Sequence, residues 1–81
     1  MPKIILTNHA IFRLFERGIS VHDAKRIAKY GQIKKTERGG IIIRTGILSD
    51  NHLLISVVTK RVGERIIILT VYYGNHLRQN I

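Results

Sequence analysis

The apolar residues of this chain follow two different periods. Before Gly31 they recur with the spacing of amphipathic helices, and after it they form short β-branched runs separated by turn residues. The pattern therefore predicts helices in the first part of the chain and strands in the remainder.

The first predicted helix spans residues 8–17. Thr7 or Asn8 is placed to cap its N-terminus, and Gly18 is the residue type that commonly ends helices. The apolar face of this helix is expected to consist of Ile11, Phe12, Leu14 and Phe15.

A second helix is predicted to begin after Ser20 and to end at Gly31. Ser20, followed three residues later by Asp23, is similar to a capping box with Asp in place of the usual Glu. The apolar positions of this helix are expected at Val21, Ala24, Ile27 and Ala28.

Four strands are predicted after the second helix, at residues 32–37, 41–48, 53–59 and 65–73. The intervening turns are expected at residues 38–40, 49–51 and 60–64. Residues 3–6 form either a short strand or an extended lead-in, and residues 74–81 are expected to form a loose tail. The sequence thus predicts a single α+β domain over residues 1–81, in which two N-terminal helices pack on a four-stranded antiparallel sheet.

The last predicted strand has an unusual feature, because residues 66–69 are apolar on both faces. Such a strand is expected inside the sheet with cover on each side. The two helices can supply only one cover. A curled sheet, a homodimer or a protein partner remain as candidates for the other.

Composition narrows the classes of partner. Fourteen Lys and Arg residues against five Asp and Glu give a net charge of +9 in 81 residues, which favours nucleic acid or an anionic membrane as partner, although charge also serves solubility. The lack of cysteine excludes a disulfide framework and a thiolate metal site. The apolar run at residues 4–6 is too short for a signal peptide, and no segment approaches a membrane span, so we expect a cytoplasmic protein with no membrane partner.

Three cationic or titratable side chains share one stripe of the first predicted helix. His9, Arg13 and Arg17 stand at i, i+4 and i+8, a spacing at which like charges are mildly unfavourable unless an anion binds them. Phosphate is the natural anion, since a helix N-terminus attracts it and a guanidinium grips it in bidentate fashion. The alternative is a solvated face, on which Glu16 can pair with Arg13.

Two further basic clusters fall on predicted turns. Lys60, Arg61 and Arg65 surround the last turn, and another cluster comprises Lys34, Lys35 and Arg38. Each cluster alone is readily explained as a solvated turn. Together they would form a basic rim suited to a phosphodiester backbone.

Residues on the last strand complete the candidate site. Thr70 and Tyr72 are expected on one face of that strand, with Val71 and Tyr73 on the other. An exposed tyrosine beside basic residues can stack on an unpaired base or donate to a phosphate; the alternative is a tyrosine at the rim with its hydroxyl in water.

Metal-dependent catalysis has little support in the sequence. The five acidic residues are single and scattered, whereas sites for hard cations need convergent carboxylates. The glycines form no phosphate-binding loop, and no serine lies in a recognisable nucleophile motif. We therefore expect neither a metal nor another cofactor.

Residues 7–20, followed by the second helix and by the closing residues 68–72, resemble a small uncharacterised bacterial and archaeal domain family, whose opening signature H-A-x-x-R-x-x-x-R-x-I begins here at His9. The resemblance covers nearly the whole chain. That family is similar to the RelE-like and barnase/colicin-like ribonuclease toxins, which place one or two N-terminal helices on a four-stranded antiparallel sheet. The resemblance implies a ribonuclease-toxin-like domain: a metal-independent endoribonuclease that acts on RNA as the toxin of a toxin–antitoxin pair, with an acidic antitoxin as partner. It implies a site around His9, Arg13, Thr70 and Tyr72.

In such an enzyme the ribose 2′-hydroxyl attacks the adjacent phosphate, which requires a base, a proton donor and cations. His9 is the expected base or acid, while Arg13 and Arg17 would stabilise the developing charge. Arg61 or Arg65 could add a third cation, and Tyr72 could hold a base or donate a proton. The alternative function is a non-catalytic basic module that binds RNA or an acidic protein.

Overall fold

In the described part of the chain, five strands form one mixed sheet. A computed structural model describes residues 3–74, so the tail expected at residues 74–81 lies, apart from Gly74, outside the described residues. In chain order the elements are β1 (Lys3–Leu6), α1 (Asn8–Arg17), α2 (Val21–Tyr30), β2 (Gln32–Glu37), a short 3₁₀ turn (Arg38–Gly40), β3 (Ile41–Ile47), β4 (Leu54–Val62) and β5 (Arg65–Tyr73). The strands are hydrogen-bonded in the order β1-β5-β4-β3-β2, with β1 parallel to β5 and every other pair antiparallel. The predicted α+β class is confirmed.

The prediction of a four-stranded antiparallel sheet was wrong in one element. Residues 3–6 form a fifth strand, which pairs in parallel with residues 65–68 of β5. A four-residue segment is too short to show a period, and its pairing partner is remote in sequence. With β1 on one side and β4 on the other, β5 lies inside the sheet, as its apolar run predicted.

Both ends of α1 are capped by residues that the sequence had indicated. The Thr7 hydroxyl accepts a hydrogen bond from the Ala10 N–H at 3.0 Å. At the other end Gly18 has a φ of +67°, its N–H bonds to the Phe15 carbonyl, and the Ile19 N–H bonds to the Leu14 carbonyl. This pair of bonds is the Schellman motif, which needs the left-handed backbone that glycine adopts freely.

The start of α2 is joined to the loop after β3 by one buried carboxylate. The Ser20 hydroxyl accepts from the Asp23 N–H at 3.0 Å, as predicted. Asp23 is only 3% exposed, and its carboxylate accepts from Arg26 at 2.9 Å and from the Ser49 hydroxyl at 3.1 Å. The Arg26 hydrogen bond lowers the pKa of Asp23, with burial opposing it and Ser49 reinforcing it.

Two glycines let α2 approach the sheet closely. A Cβ atom on Gly46 of β3 would lie 2.6 Å from Cγ1 of Ile27. On Gly31, which follows α2, a Cβ would lie 2.7 Å from the Ile27 carbonyl oxygen. Ile27 is 1% exposed, so the missing side chains make room for a fully buried isoleucine.

The last hairpin is tighter than predicted. We expected residues 60–64 to form the turn, but β4 continues to Val62 and its residues 60–62 pair with residues 65–67. Only Gly63 and Glu64 form the loop, and Gly63 has a φ of +60°, a conformation typical of two-residue hairpins. The basic residues that the sequence placed on a turn therefore belong to paired strands.

The buried faces of the helices are narrower than predicted. Ala10 and Leu14 of α1 are buried, and so are Ala24, Ile27 and Ala28 of α2. Four residues assigned to the apolar faces are instead exposed: Ile11, Phe12, Phe15 and Val21. Each helix contacts the sheet along one side only, which leaves the rest of a wide apolar surface in solvent.

The sheet buries side chains on both faces. Beneath the helices Ile55, Val57, Ile66 and Ile68 join the main core. Strand pairing places Ile43, Thr45 and Ser56 on the opposite face, where they are also buried.

Candidate active site

Hydrogen bonds join both ends of helix α1 to β5. At the start of the helix the Thr7 hydroxyl lies 3.2 Å from the carbonyl oxygens of both Ile68 and Leu69. At its end the Tyr73 hydroxyl donates to the Arg17 carbonyl at 2.7 Å. The helix therefore runs alongside the second half of β5, beyond the point at which β1 ends.

The three residues of the predicted cationic stripe, His9, Arg13 and Arg17, have different surroundings in the structure. Nη1 of Arg17 donates to the Val71 carbonyl at 2.7 Å in a half-buried position. Arg17 thus has a partner within the protein, and this contact holds α1 against the sheet. His9 and Arg13 remain together at the surface.

Arg13 bridges the two groups on either side of it. Its Nη1 donates to Glu16 Oε1 at 2.7 Å, so the pairing expected between these residues is confirmed. Its Nε lies 3.4 Å from His9 Nε2, beyond the usual range for a strong hydrogen bond. In this contact the Arg13 Nε–H is the donor and His9 Nε2 is the acceptor.

His9, Arg13 and Glu16 bring three different chemical groups together at the protein surface. Imidazole and carboxylate can each accept or donate a proton, and guanidinium carries a permanent charge. The side chains of Arg13 and Glu16 are 33% and 45% exposed, so a solvent-borne anion can reach them. We call His9, Arg13 and Glu16 the α1 polar cluster.

An exposed aromatic surface, which the sequence pattern did not predict, lies next to this cluster. Phe12 is 58% exposed and Phe15 is 87% exposed, with Ile11 beside them. A signal was present: at about 100° per residue, the apolar residues from Ala10 to Phe15 cover roughly 200° of the helix, more than one sheet can bury. The pattern could not show which part of that arc faces the sheet.

The basic residues of the β4–β5 hairpin lie apart from the α1 polar cluster. Lys60 and Arg65 project to the sheet face opposite the helices, whereas Arg61 projects to the helix-covered face and donates to the Gly63 carbonyl at 2.9 Å. All three occupy the hairpin end of the sheet, while α1 begins beside Ile68 and runs away from that end. Of the other predicted basic cluster, Lys35 pairs with Glu37 at 3.3 Å.

Thr70 and Tyr72 share the sheet face opposite the helices. Leu69 is an extra residue in β5, which keeps Ile68 and Val71 on the core side and Thr70 and Tyr72 on the other side. Burial raises the pKa of the Tyr72 hydroxyl, and the negative charge of Glu37 raises it further. The raised pKa makes the Tyr72 hydroxyl a weaker acid. The sheet also lies between this hydroxyl and the core side on which α1 packs, so Tyr72 is separated from the α1 residues of the predicted site.

The described residues were compared with what a metal site and a membrane-spanning helix require. Within residues 3–74, histidine and acidic side chains form no cluster of three or more that could ligate a metal ion. Neither of the helices described is long and apolar enough to cross a bilayer.

The fold and the site define a small basic α+β domain, with an exposed His-Arg-Glu cluster on a helix that flanks a mixed five-stranded sheet. Residues 6–73 match the model of DUF4258, a domain of unknown function, and the chain belongs to that family. No curated protein and no solved structure gives a significant match.

Proposed function

We propose that this protein is a metal-independent endoribonuclease, acting as the toxin of a toxin–antitoxin pair. The observation that carries the proposal is the α1 polar cluster, in which Arg13 lies between an imidazole and a carboxylate at the protein surface. The similarity of the opening motif to the RelE-like and barnase/colicin-like ribonuclease toxins supports the same activity. A net charge of +9 favours a polyanionic substrate.

The proposed reaction is an internal transfer of the phosphate. The 2′-oxygen of a ribose attacks the adjacent phosphorus, and a base takes the 2′-hydroxyl proton. The bond from phosphorus to the 5′-oxygen breaks, and an acid protonates that oxygen. The products are a 2′,3′-cyclic phosphate and a 5′-hydroxyl.

His9 and Glu16 are the two proton-transfer groups of this proposal, and Arg13 is the cation. A phosphate oxygen is a stronger acceptor for the Arg13 Nε–H than an imidazole nitrogen at 3.4 Å. Substrate binding would thus release the lone pair of His9 Nε2 for proton transfer. Arg13 would stabilise the charge that develops on the phosphate, a contribution that is commonly the largest in catalysis.

The remaining predicted residues take supporting roles. Arg17 positions α1 through Val71. Lys60 and Arg65, with exposed side chains on the sheet, contact phosphates away from the cleavage point, together with Arg61 at the same hairpin. Thr70 and Tyr72 lie on the far face of the sheet, away from the α1 polar cluster, and the buried Tyr72 hydroxyl has no part in the proposed reaction.

Incubation of the wild-type protein with a long unstructured RNA tests the proposal. Gel electrophoresis should show cleavage that is unchanged by EDTA, and end-group analysis should show a 2′,3′-cyclic phosphate. Protein that never cuts RNA, or that needs a divalent ion to do so, would contradict the proposal.

A second candidate function is a non-catalytic module that binds RNA or an acidic protein. It is favoured by the exposed apolar residues of α1, because surfaces of this kind often mark interaction sites. Its partner would be an RNA, an acidic protein or a second copy of the chain. Tight RNA binding without any cleavage would favour this candidate over the ribonuclease.

A further inference from the structure

Two phenylalanines stand in solvent on the outer side of α1. Phe15 is 87% exposed and Phe12 is 58% exposed. Exposed apolar residues are common singly, but Phe12 and Phe15 stand three residues apart on one short helix, a spacing that places their rings on neighbouring parts of its surface. A monomer gains nothing in stability from leaving such rings in water.

The two rings adjoin the α1 polar cluster. Phe12 is three residues after His9 and directly precedes Arg13. At about 100° per residue, a path around the outside of the helix crosses Phe15, then Phe12, then Glu16 and His9, and reaches Arg13 last. Phe12 therefore borders Glu16 and His9 directly, and Arg13 lies just beyond them, about 100° around the helix from Phe12.

Charge decides which occupant suits this surface. Glu16 is the one acidic residue in the α1 sequence, and it is paired with Arg13. The protein as a whole carries a net charge of +9. An aromatic face beside a cation is the combination by which proteins hold unpaired nucleotides, with the base stacked on the ring and the phosphate on the cation. Duplex RNA does not suit it, because its bases already stack on one another.

We propose that Phe12 and Phe15 form a stacking surface for unpaired bases, which makes single-stranded RNA the substrate class of the α1 site. This inference rests on the RNA-directed function proposed above. It adds a binding role for two residues outside the α1 polar cluster. Phe12, the nearer ring, holds the base next to the phosphate on Arg13, and Phe15 holds the next base along the strand.

Equilibrium binding to a 2′-O-methyl oligouridylate tests this role, because the methyl group prevents attack by the 2′-oxygen and separates binding from cleavage. The same measurement uses an abasic sugar-phosphate strand of equal length. The variants are Phe12→Leu and Phe15→Leu, which remain apolar but cannot stack, and Phe12→Trp, which can. The matched control is Tyr30→Leu, since Tyr30 is an aromatic residue of α2 that is 74% exposed.

The wild-type protein should bind the oligouridylate more tightly than the abasic strand. Each leucine variant should lose roughly 5- to 150-fold in affinity for the oligouridylate, the range measured for a single base stacked on an aromatic ring. Its affinity for the abasic strand should not change. Phe12→Trp should keep wild-type affinity, and Tyr30→Leu should behave as wild type.

Equal binding of the two strands, or leucine variants that bind oligouridylate as the wild type does, would overturn the stacking role while leaving cleavage to be judged by its own assay. If instead the stacking results are obtained and the wild type never cuts unmodified RNA, the ribonuclease proposal fails and the stacking role stands. Sedimentation of the RNA-free protein provides a further check. Self-association that Phe15→Leu abolishes would overturn the inference in favour of an interface between copies of the chain.

Discussion

The guanidinium of Arg17 donates a hydrogen bond of 2.7 Å to the carbonyl oxygen of Val71, which joins the last turn of α1 to the interior strand β5. β1 pairs with β5 only as far as Ile68, so within residues 3–74 no strand lies beside this edge of β5 beyond that residue. Arg17 satisfies a carbonyl that would otherwise need another partner. Arg17 therefore has a structural role, although its spacing had grouped it with His9 and Arg13 as a candidate site residue.

Replacement of Arg17 by alanine should therefore lower stability. A hydrogen bond from a charged group in a half-buried position contributes about 1–3 kcal/mol, so the free energy of unfolding in urea should fall by about that amount. The matched control is Arg13→Ala, whose ion pair with Glu16 is exposed and should contribute less than about 1 kcal/mol. Equal losses for the two variants would show that the Val71 contact does not hold the helix in place.

Asp23 should control the stability of the protein in acid. Arg26 and Ser49 hold its pKa below the ordinary value of 3.8, so at low pH the unfolded chain binds more protons than the folded one. The stabilisation is present above about pH 4 and is lost as pH falls through the folded-state pKa. Urea unfolding measured across this range should show a decline that Asp23→Asn flattens. An Asp23→Asn variant with the same acid dependence as wild type would assign the decline to other groups.

The close approach of Ile27 to Gly46 should appear in a double-mutant cycle. Gly46→Ala places a Cβ against the Ile27 side chain and should cost about 1–3 kcal/mol, as overpacking does in well-packed cores. Ile27→Ala should cost about 2–5 kcal/mol. When Ile27 is already alanine, Gly46→Ala should lower the free energy of unfolding by much less than it does in the wild-type protein. Strict additivity would mean that the two residues do not compete for the same space.

RNA binding should weaken steeply with salt, because a protein with a net charge of +9 displaces counterions from the phosphates that it contacts. For single strands, log affinity should fall against log salt with a slope of about −0.7 per phosphate neutralised. Lys60→Gln and Arg65→Gln should each make that slope shallower by about one contact. A slope near zero in the wild type would remove the nucleic-acid interpretation.

Local signals in the sequence were sufficient to predict the helices and most of the strands. Thr7, Gly18 and Ser20 act through the backbone within a few residues of themselves, so their roles as caps can be recognised without knowing the fold. β1 could not be identified with certainty, because four residues gain a strand conformation only by pairing with β5.

The candidate site was predictable only in part. The spacing of His9, Arg13 and Glu16 brings them together on any helix, and the structure has them in contact. The hydrogen bond from Arg17 to the Val71 carbonyl could not be predicted, because it depends on where α1 packs against the sheet. The exposure of Phe15 depends on the same tertiary placement, which helical period alone does not contain.

The most direct test of the account is the cleavage rate of His9→Ala at saturating RNA, compared with wild type and with His22→Ala. His22 is an exposed histidine of α2 outside the α1 polar cluster, so its removal controls for the loss of an imidazole as such. We expect wild-type protein and His22→Ala to cut at the same rate. His9→Ala should be slower by about 10²- to 10⁴-fold, the usual contribution of a general acid or base, with an unchanged free energy of unfolding. A His9→Ala variant that cuts RNA as fast as wild type would contradict catalysis at the α1 polar cluster.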